Sequence, residues 1–290
     1  MNGKLQNKDY SHIKKWFVVS DVHSYYAELI QALHEKGFEI SDTSMGLILC
    51  GDAFDRGDQT FEVFNFLKDL ASKNRLVYIM GNHEDLLLEC LYQLIAGCDT
   101  AMYHRSNGTL KTIASFLGED DYLMYCSMIP QSSIDINDKK TKPIRDFIAS
   151  NCVNYFELGD KIFVHSWLPI VFQNGVDKIW PDWHDYQKAV DYDADINALW
   201  STGRWDNPFK LWKQKLYPED KCIVFGHWHC SWYWSHIKQL YKEWPQNTKK
   251  HFQESFQPVI EENIIGLDSC CAYSGFLNCL VFDENGNLLQ

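Results

Sequence analysis

Leu47-Ile48-Leu49-Cys50-Gly51-Asp52-Ala53-Phe54-Asp55-Arg56-Gly57-Asp58 decides how this chain is read. A short apolar run ends in glycine, and carboxylates and an arginine follow at once. The run has the length and composition of a buried strand. Its polar successors then lie on the loop at the strand's carboxyl end, where open α/β sheets place their chemistry. Asp52 and Asp55 so close together repel unless a cation stands beside them, and a divalent metal is the simplest such cation. Arg56 adds a second positive group, whose planar fork suits a phosphate. The stretch points to metal-dependent chemistry on a phosphoester.

Similar strand ends flank it. Trp16-Phe17-Val18-Val19-Ser20 predicts a strand ending in Asp21-Val22-His23, and Tyr26 to Lys36 predicts a helix closed by Gly37. Asp21 and His23 can both reach one metal, although alone they also fit a helix-capping Asp beside a surface His. Thr60 to Leu70 predicts a helix, and Leu76 to Met80 a third strand that ends in Gly81-Asn82-His83-Glu84. Asp52 lies 31 residues after Asp21, and Asn82 lies 30 after Asp52. Those intervals fit successive strand–helix units of a mostly parallel sheet. Asn82 offers a neutral carbonyl oxygen where carboxylates abound, and His83 beside it can carry a proton.

Residues of about 85–150 read as a helical insertion on the sheet. Helices are expected over Asp85 to Ile95, Thr109 to Phe116 and Tyr122 to Met128. A turn-like break is expected at Tyr103 to Gly108, and a polar stretch near Ser132 to Lys142. Asn154 to Leu158 and Lys161 to His165 form a hairpin pattern around Gly159-Asp160, and His165 ends its strand. A second insertion, about 167–217, carries Trp167, Trp180, Trp183, Trp200, Trp205 and Trp212. Filling an irregular core is the favoured role for these rings over a stacking surface. Cys222 to Phe225 predicts another strand, followed by Gly226-His227-Trp228-His229, whose two histidines can approach one centre or two adjacent ones. Trp232 to Pro258 reads as irregular. Ile264 to Asp268 and Phe276 to Phe282 read as a closing antiparallel pair.

The totals narrow the possibilities. The 290 residues are 46% apolar and 15% aromatic, ample for an ordered core and consistent with one domain spanning 1–290. A formal charge of −12 argues against nucleic acid or an anionic membrane as a partner. The first fifteen residues lack an apolar signal core, and no run approaches the ~18 apolar residues of a membrane span, so a cytoplasmic location is expected. Ten cysteines without a C-x-x-C pair read as reduced, mostly buried thiols. Asn107-Gly108-Thr109 matches a glycosylation sequon, here taken as chance.

Asp-x-His, Gly-Asp-x-x-Asp-Arg-Gly, Gly-Asn-His-Glu, a strand-end His and Gly-His-x-His occur in this order between Asp21 and His229. The set resembles the calcineurin-like metallophosphoesterase superfamily. Its full second and third motifs resemble the phosphoprotein phosphatase branch, which includes serine/threonine phosphatases and symmetrical diadenosine tetraphosphatases. Leu199-Trp200-Ser201 is similar to that branch's Leu-Trp-Ser segment. Leu267-Asp268-Ser269-Cys270-Cys271 resembles its late Asp-Thr-Gly stretch, with Ser and Cys replacing Thr and Gly.

The resemblance implies an α/β fold of mixed sheets, a four-layer α/β/β/α sandwich, with two divalent metal ions at one end. Asp21, His23 and Asp52 would hold the first ion, and Asp52, Asn82, His165 and His227 the second. His229 matches a ligand that many superfamily members give to the first ion. Asp52 as the bridge also follows from electrostatics, since a carboxylate has one oxygen for each cation. All these ligands are O or N, which suits Mn, Fe or Zn, and the resemblance favours Mn. His83 is expected to protonate the leaving oxygen, with Asp55 orienting it. Arg56 and Asn82 are expected to bind the substrate phosphate, with Arg204 as a candidate second clamp. The leading expectation is a serine/threonine protein phosphatase-like phosphomonoesterase acting on a phosphorylated protein or small phosphoester. The alternative is a hydrolase of symmetrical dinucleoside polyphosphates. A metal-containing scaffold without catalysis would need a broken ligand set, and every position is present.

Overall fold

Side chains alternating along the central strands divide between two cores, and that division builds the layers of the fold. In β1 (Lys15–Val19), Phe17 and Val19 face one core while Trp16 and Val18 face the other. β2 (Met45–Cys50) divides the same way, Leu47 and Leu49 against Ile48 and Cys50. So does β3 (Leu76–Ile79), Leu76 and Tyr78 against Val77 and Ile79. Apolar runs covered on both faces mark parallel sheets. The computed structural model describes residues 4–5, 8–98, 100, 102–118, 138–187, 189, 194–240 and 252–289.

The remaining central strands are β4 (Cys152–Val153), β5 (Phe156–Leu158), β6 (Lys161–Phe163), β7 (Cys222–Phe225), β8 (Val259–Glu261), β9 (Ile264–Gly266) and β10 (Leu280–Asp283). The first sheet runs β10-β1-β2-β3-β4, and only β10 is antiparallel to its neighbour. The second runs β8-β9-β7-β6-β5, with β9, β7 and β6 parallel and both edge strands antiparallel. Val18, Ile48 and Val77 of the first sheet meet Phe163, Val224 and Ile265 of the second in a shared apolar core.

Helices cover the two outer faces. On the first sheet lie α1 (Tyr26–Glu35), α2 (Thr60–Ser72), α3 (Asn82–Ile95), α4 (Met102–Asn107), α5 (Thr109–Leu117) and α6 (Asp138–Asn151). Leu29, Leu67, Leu87, Ile113 and Ile148 bind α1, α2, α3, α5 and α6 into one core, and α4 packs on α3 and α5. The second sheet carries α7 (Ala194–Gly203), α8 (Pro208–Lys213) and α9 (Cys230–His236), through Trp200, Phe209 and Tyr233. The result is the expected α/β/β/α sandwich of mixed sheets.

Four expectations are corrected. The break at Tyr103 to Gly108 is the short helix α4, which stops at Gly108, a left-handed residue with φ +89°. The polar stretch ending near Lys142 leads into helix α6, whose Ile144, Phe147 and Ile148 repeat at helical spacing among lysines that hide the pattern. The segment from Trp232 begins inside helix α9. The closing strands do not pair. β9 pairs with β7 and β8, whereas β10 pairs with β1 in the other sheet. An apolar run announces a strand but not its partner. Between them the chain crosses from sheet to sheet, and Asn278 fastens the crossing by donating to the carbonyls of Leu267 and Phe256. Tyr122 to Met128 lies outside the described residues.

The hairpin at Gly159-Asp160 forms as expected, Leu158 opposite Lys161. The described cysteines are free, and all but Cys98 are buried. Trp167, Trp183 and Trp200 fill the core outside the second sheet, whereas Trp205 is 49% exposed. No helix among the described residues is long and apolar enough to cross a membrane.

The shared core predicts its own weak point. Phe163 is fully buried between the sheets. Phe163→Ala should lower unfolding stability by about 3–5 kcal/mol. Urea denaturation measures this, and a loss under about 1 kcal/mol would mean that the sheets close over the gap.

Candidate active site

The expected strand ends do converge. β1, β2 and β3 deliver Asp21 and His23, Asp52, and Asn82 from the first sheet. β6 and β7 deliver His165 and His227 from the second. A cleft at the seam is lined by Asp21, His23, Asp52, Arg56, Asn82, His83, His227 and His229, among others.

Hydrogen bonds behind the ligand groups fix their orientation. A carbonyl only accepts, so His23 Nδ1 donates to Phe54 O at 3.0 Å and His165 Nδ1 donates to Cys50 O at 2.8 Å. Each Nε2 is then a bare lone pair. Burial, with the neighbouring His83 and Arg56, holds His23 well below its ordinary pKa. Burial brings His165 down to about 4. Neither ring therefore takes up a proton to relieve its neighbours near neutral pH.

Those lone pairs point at other acceptors. His165 Nε2 lies 2.7 Å from Asn82 Oδ1 and 3.4 Å from Asp52 Oδ1. His23 Nε2 lies 3.7 Å from Asp52 Oδ2. The two oxygens of Asp52 thus face two different histidine groups. Donor atoms of His23, Asp52 and His83 lie within 4.8 Å of one another, and so do those of Asp52, His165 and His227. Asp52 is buried, and burial raises its carboxyl to about 6 against the pull of His83. Asp21 is raised too, by burial and then by Asp268 and Asp52. Backbone N–H groups of His83 and His227 reach Asp52 Oδ1 and Asp21 Oδ2, but they do not separate the carboxylates from the facing lone pairs, and cations are what relieve such crowding. The donor set of carboxylate, amide oxygen and imidazole fits two divalent ions.

Other expected residues fall differently. Asp21 joins neither donor group, and its Oδ2 accepts the His227 N–H. His229 lines the cleft but also joins neither group, with Nε2 3.8 Å from Asp268 Oδ2. His83 is geometrically close enough to bind an ion, but its Nε2 lies 3.3 Å from the Arg56 Nη2. Arginine only donates, so His83 accepts there and donates Nδ1–H to Asp55 Oδ2 at 2.7 Å. Burial opposes a charge on His83, but Asp52 and Asp55 outweigh it and raise its pKa. Arg56 is exposed on the cleft. Arg204 corrects the expectation of a second clamp. It is buried and does not line the cleft, its Nη1 bonds Asp85 at 2.6 and 2.8 Å, and its Nη2 bonds Asn154 at 2.5 Å.

The sequence reading passed over several neighbours. Glu84 is fully buried and accepts from the backbone N–H groups of Asp52, Ala53 and Gly81 and from Tyr78 Oη. It is third in its helix, where a carboxylate reaching back to the N-cap is a recognisable pattern. A side chain at Gly81 would collide with Asp52 Oδ1, which is why that N-cap has none. Thr109 and Thr112 bond the Asp55 carboxylate, and Asn107, Trp205, Asp268 and Cys270 line the cleft.

A two-sheet sandwich with converging metal-binding groups, an arginine and a His–Asp pair at its seam defines a metallophosphoesterase, a hydrolase of phosphoesters. The family model described as calcineurin-like phosphoesterase matches residues 15–260, and the chain belongs to that family. A protein of Vibrio parahaemolyticus named "Bis(5'-nucleosyl)-tetraphosphatase, symmetrical" is 24% identical over an alignment covering 92% of this chain and 95% of that protein. One of the same name from Proteus mirabilis is 39% identical over 72 residues, 25% of each chain. Among solved structures, a cold-active protein-tyrosine phosphatase from a Shewanella species superposes with a TM-score of 0.49 at 16% identity, covering 96% of this chain and 81% of that one.

Glu84 sets a testable condition on the centre. Glu84→Gln puts amide hydrogens against the N–H donors that hold the Asp52 loop. Divalent-ion affinity should fall about 10–100-fold. Titration calorimetry with Mn²⁺ on wild type and variant checks this, and equal affinities would remove Glu84 from the support of the site.

Proposed function

We propose that this protein hydrolyses dinucleoside polyphosphates at a two-ion centre, splitting a symmetrical substrate into two nucleoside diphosphates. The observation that carries the two-ion reading is Asp52, whose Oδ1 and Oδ2 face separate histidine groups across bare lone pairs. Asp21, His23 and Asp52 would hold one ion, and Asp52, Asn82, His165 and His227 the other. Mn²⁺ is the first choice, with Fe or Zn compatible with the same donors. When bound, the ions would supply Lewis acidity and a water deprotonated near neutral pH.

The chain's own residues divide the remaining work. Arg56, exposed on the cleft, binds the phosphate oxygens and offsets charge that grows in the transition state. His83, which takes up a proton on Nε2 once Arg56 has turned to the phosphate, delivers that proton to the leaving oxygen. Asp55 holds the opposite ring nitrogen and stabilises the imidazolium.

Two facts favour the nucleotide over the phosphoprotein that motif reading put first. The full-length similarity is to a protein named for bis(5'-nucleosyl)-tetraphosphate. At the cleft, half-exposed Trp205 stands perpendicular to His227, ring centres 5.8 Å apart, and is an aromatic group within reach of a base. Phosphomonoester hydrolysis is the second reading, because a positioned acid matters most when an alkoxide leaves.

With Mn²⁺ present, diadenosine tetraphosphate should yield ADP, and a phosphoserine peptide should turn over far more slowly. Turnover of the peptide alone would reject the nucleotide reading. Trp205→Ala should raise KM for the dinucleotide about tenfold, since base stacking is worth ~1–3 kcal/mol, and leave p-nitrophenyl phosphate unaffected. His83→Ala should keep its ions but lose ~10²–10⁴ in rate on an alkyl phosphate. An unchanged rate there would remove His83 as the acid.

A further inference from the structure

Three side chains bond the Asp55 carboxylate beside the cleft, and two of them come from the helical insertion. It is 1% exposed. Oδ2 accepts from His83 Nδ1 at 2.7 Å and from Thr109 Oγ1 at 2.8 Å. Oδ1 accepts from Thr112 Oγ1 at 2.7 Å, and that hydroxyl in turn accepts the Asp55 N–H at 3.0 Å. Thr112 therefore fixes both backbone and side chain of Asp55. Thr109 occupies part of Oδ2 and narrows the directions from which the His83 ring can approach.

The two threonines are i and i+3 on the first turn of α5 and share a face. Leu110, Ile113 and Leu117 root the same helix in the core outside the first sheet. The approach is close. A Cβ at Gly108 would come within 2.5 Å of the Arg56 nitrogen, so the residue before α5 has none. Lys111 adds a bond to Arg56 O at 3.3 Å and an ion pair with Asp58. The tripeptide Asn107-Gly108-Thr109 thus has a use unrelated to glycosylation: Asn107 lines the cleft, Gly108 permits the contact and Thr109 makes it.

We propose that Thr109 and Thr112 are positioning residues for proton delivery: they hold the Asp55 carboxylate so that His83 is aimed at the leaving oxygen. They touch no substrate. The inference rests on the reading of His83 as the acid. It separates two kinds of substrate. A nitrophenolate departs without a proton, so hydrolysis of p-nitrophenyl phosphate does not depend on the aim of His83. An alkoxide needs the proton.

The test uses the full chain loaded with Mn²⁺. Thr112→Val keeps the shape and removes the hydroxyl. The kcat on glycerol phosphate should fall about 10–100-fold, part of the ~10²–10⁴ that a positioned acid contributes, with KM unchanged. The kcat on p-nitrophenyl phosphate should stay within about twofold. Thr112→Ser should restore the loss. Thr109→Val leaves the two-way Thr112 bond intact and should show the same selectivity in smaller measure, so it carries the test should Thr112→Val not fold. Equal losses on both substrates would overturn the inference, because they would mean that the threonines merely support the loop. His83→Ala is run alongside. A selective loss there without one in either threonine variant overturns the clamp and spares the acid. No selective loss in His83→Ala overturns the acid reading, and the clamp with it.

Discussion

Everything at the seam of the two sheets follows from acceptors crowded around Asp52. Its carboxylate is buried, its two oxygens face histidine lone pairs, and it helps burial and Asp268 to raise the nearby Asp21. Such a cluster is unstable by itself and is held open by the surrounding backbone. Asp21, His23, Asp52, Asp55, Arg56 and His227 all have positive φ, between 48° and 73°. Each such residue costs on the order of 1–3 kcal/mol and persists only where its surroundings over-determine it. They do so here. The β1 and β2 loops are laced by Asp21 N–H to Gly51 O, His23 N–H to Asp52 O and Gly57 N–H to His23 O. Glu84 gathers the donors on the far side.

The sheets and the insertions supply different things. Strand ends carry the groups that would hold ions. The helical insertion reaches back through α5 to Asp55 and Arg56. The tryptophan-rich insertion places Trp205 at the rim while its other rings pack the second outer core. The groups that would hold ions thus sit at parallel strand ends, as do Arg56 and His83, while the insertions contribute Thr109 and Thr112 behind Asp55 and Trp205 at the rim. Arg204 belongs to neither set: its bonds to Asp85 and Asn154 tie the start of α3 to the strand crossing at Asn154.

The strand ends that converge on the cleft were legible because each is an apolar run that stops at a polar residue able to bind a metal, and five such runs share one spatial logic. The positions of His23, Asp52, Asn82, His165 and His227 around the seam read out this way, whereas Asp21 joins neither donor group. What could not be read were bonds whose two ends are far apart in sequence. Thr112 lies 57 residues from Asp55, and nothing local marks its hydroxyl as different from any other on a helix. Arg204 lies 119 residues from Asp85. The same limit hid the partners of β9 and β10, since strand character is local and pairing is not. Trp205 differs from its buried neighbours only in where α7 happens to end.

Because the donor groups are divided between the two sheets, an ion bound there is also a fastening. It ties the carboxyl ends of β1, β2 and β3 to those of β6 and β7, where the core of Val18, Ile48, Phe163 and Val224 gives way to polar side chains. Unfolding separates the sheets and scatters the ligands, so only the folded chain holds the ion well. By mass action, once the site is near saturation, each tenfold rise in free ion adds about 1.4 kcal/mol per site to the folded state. The supply of metal in its surroundings therefore acts on how long this molecule survives as well as on how fast it turns over.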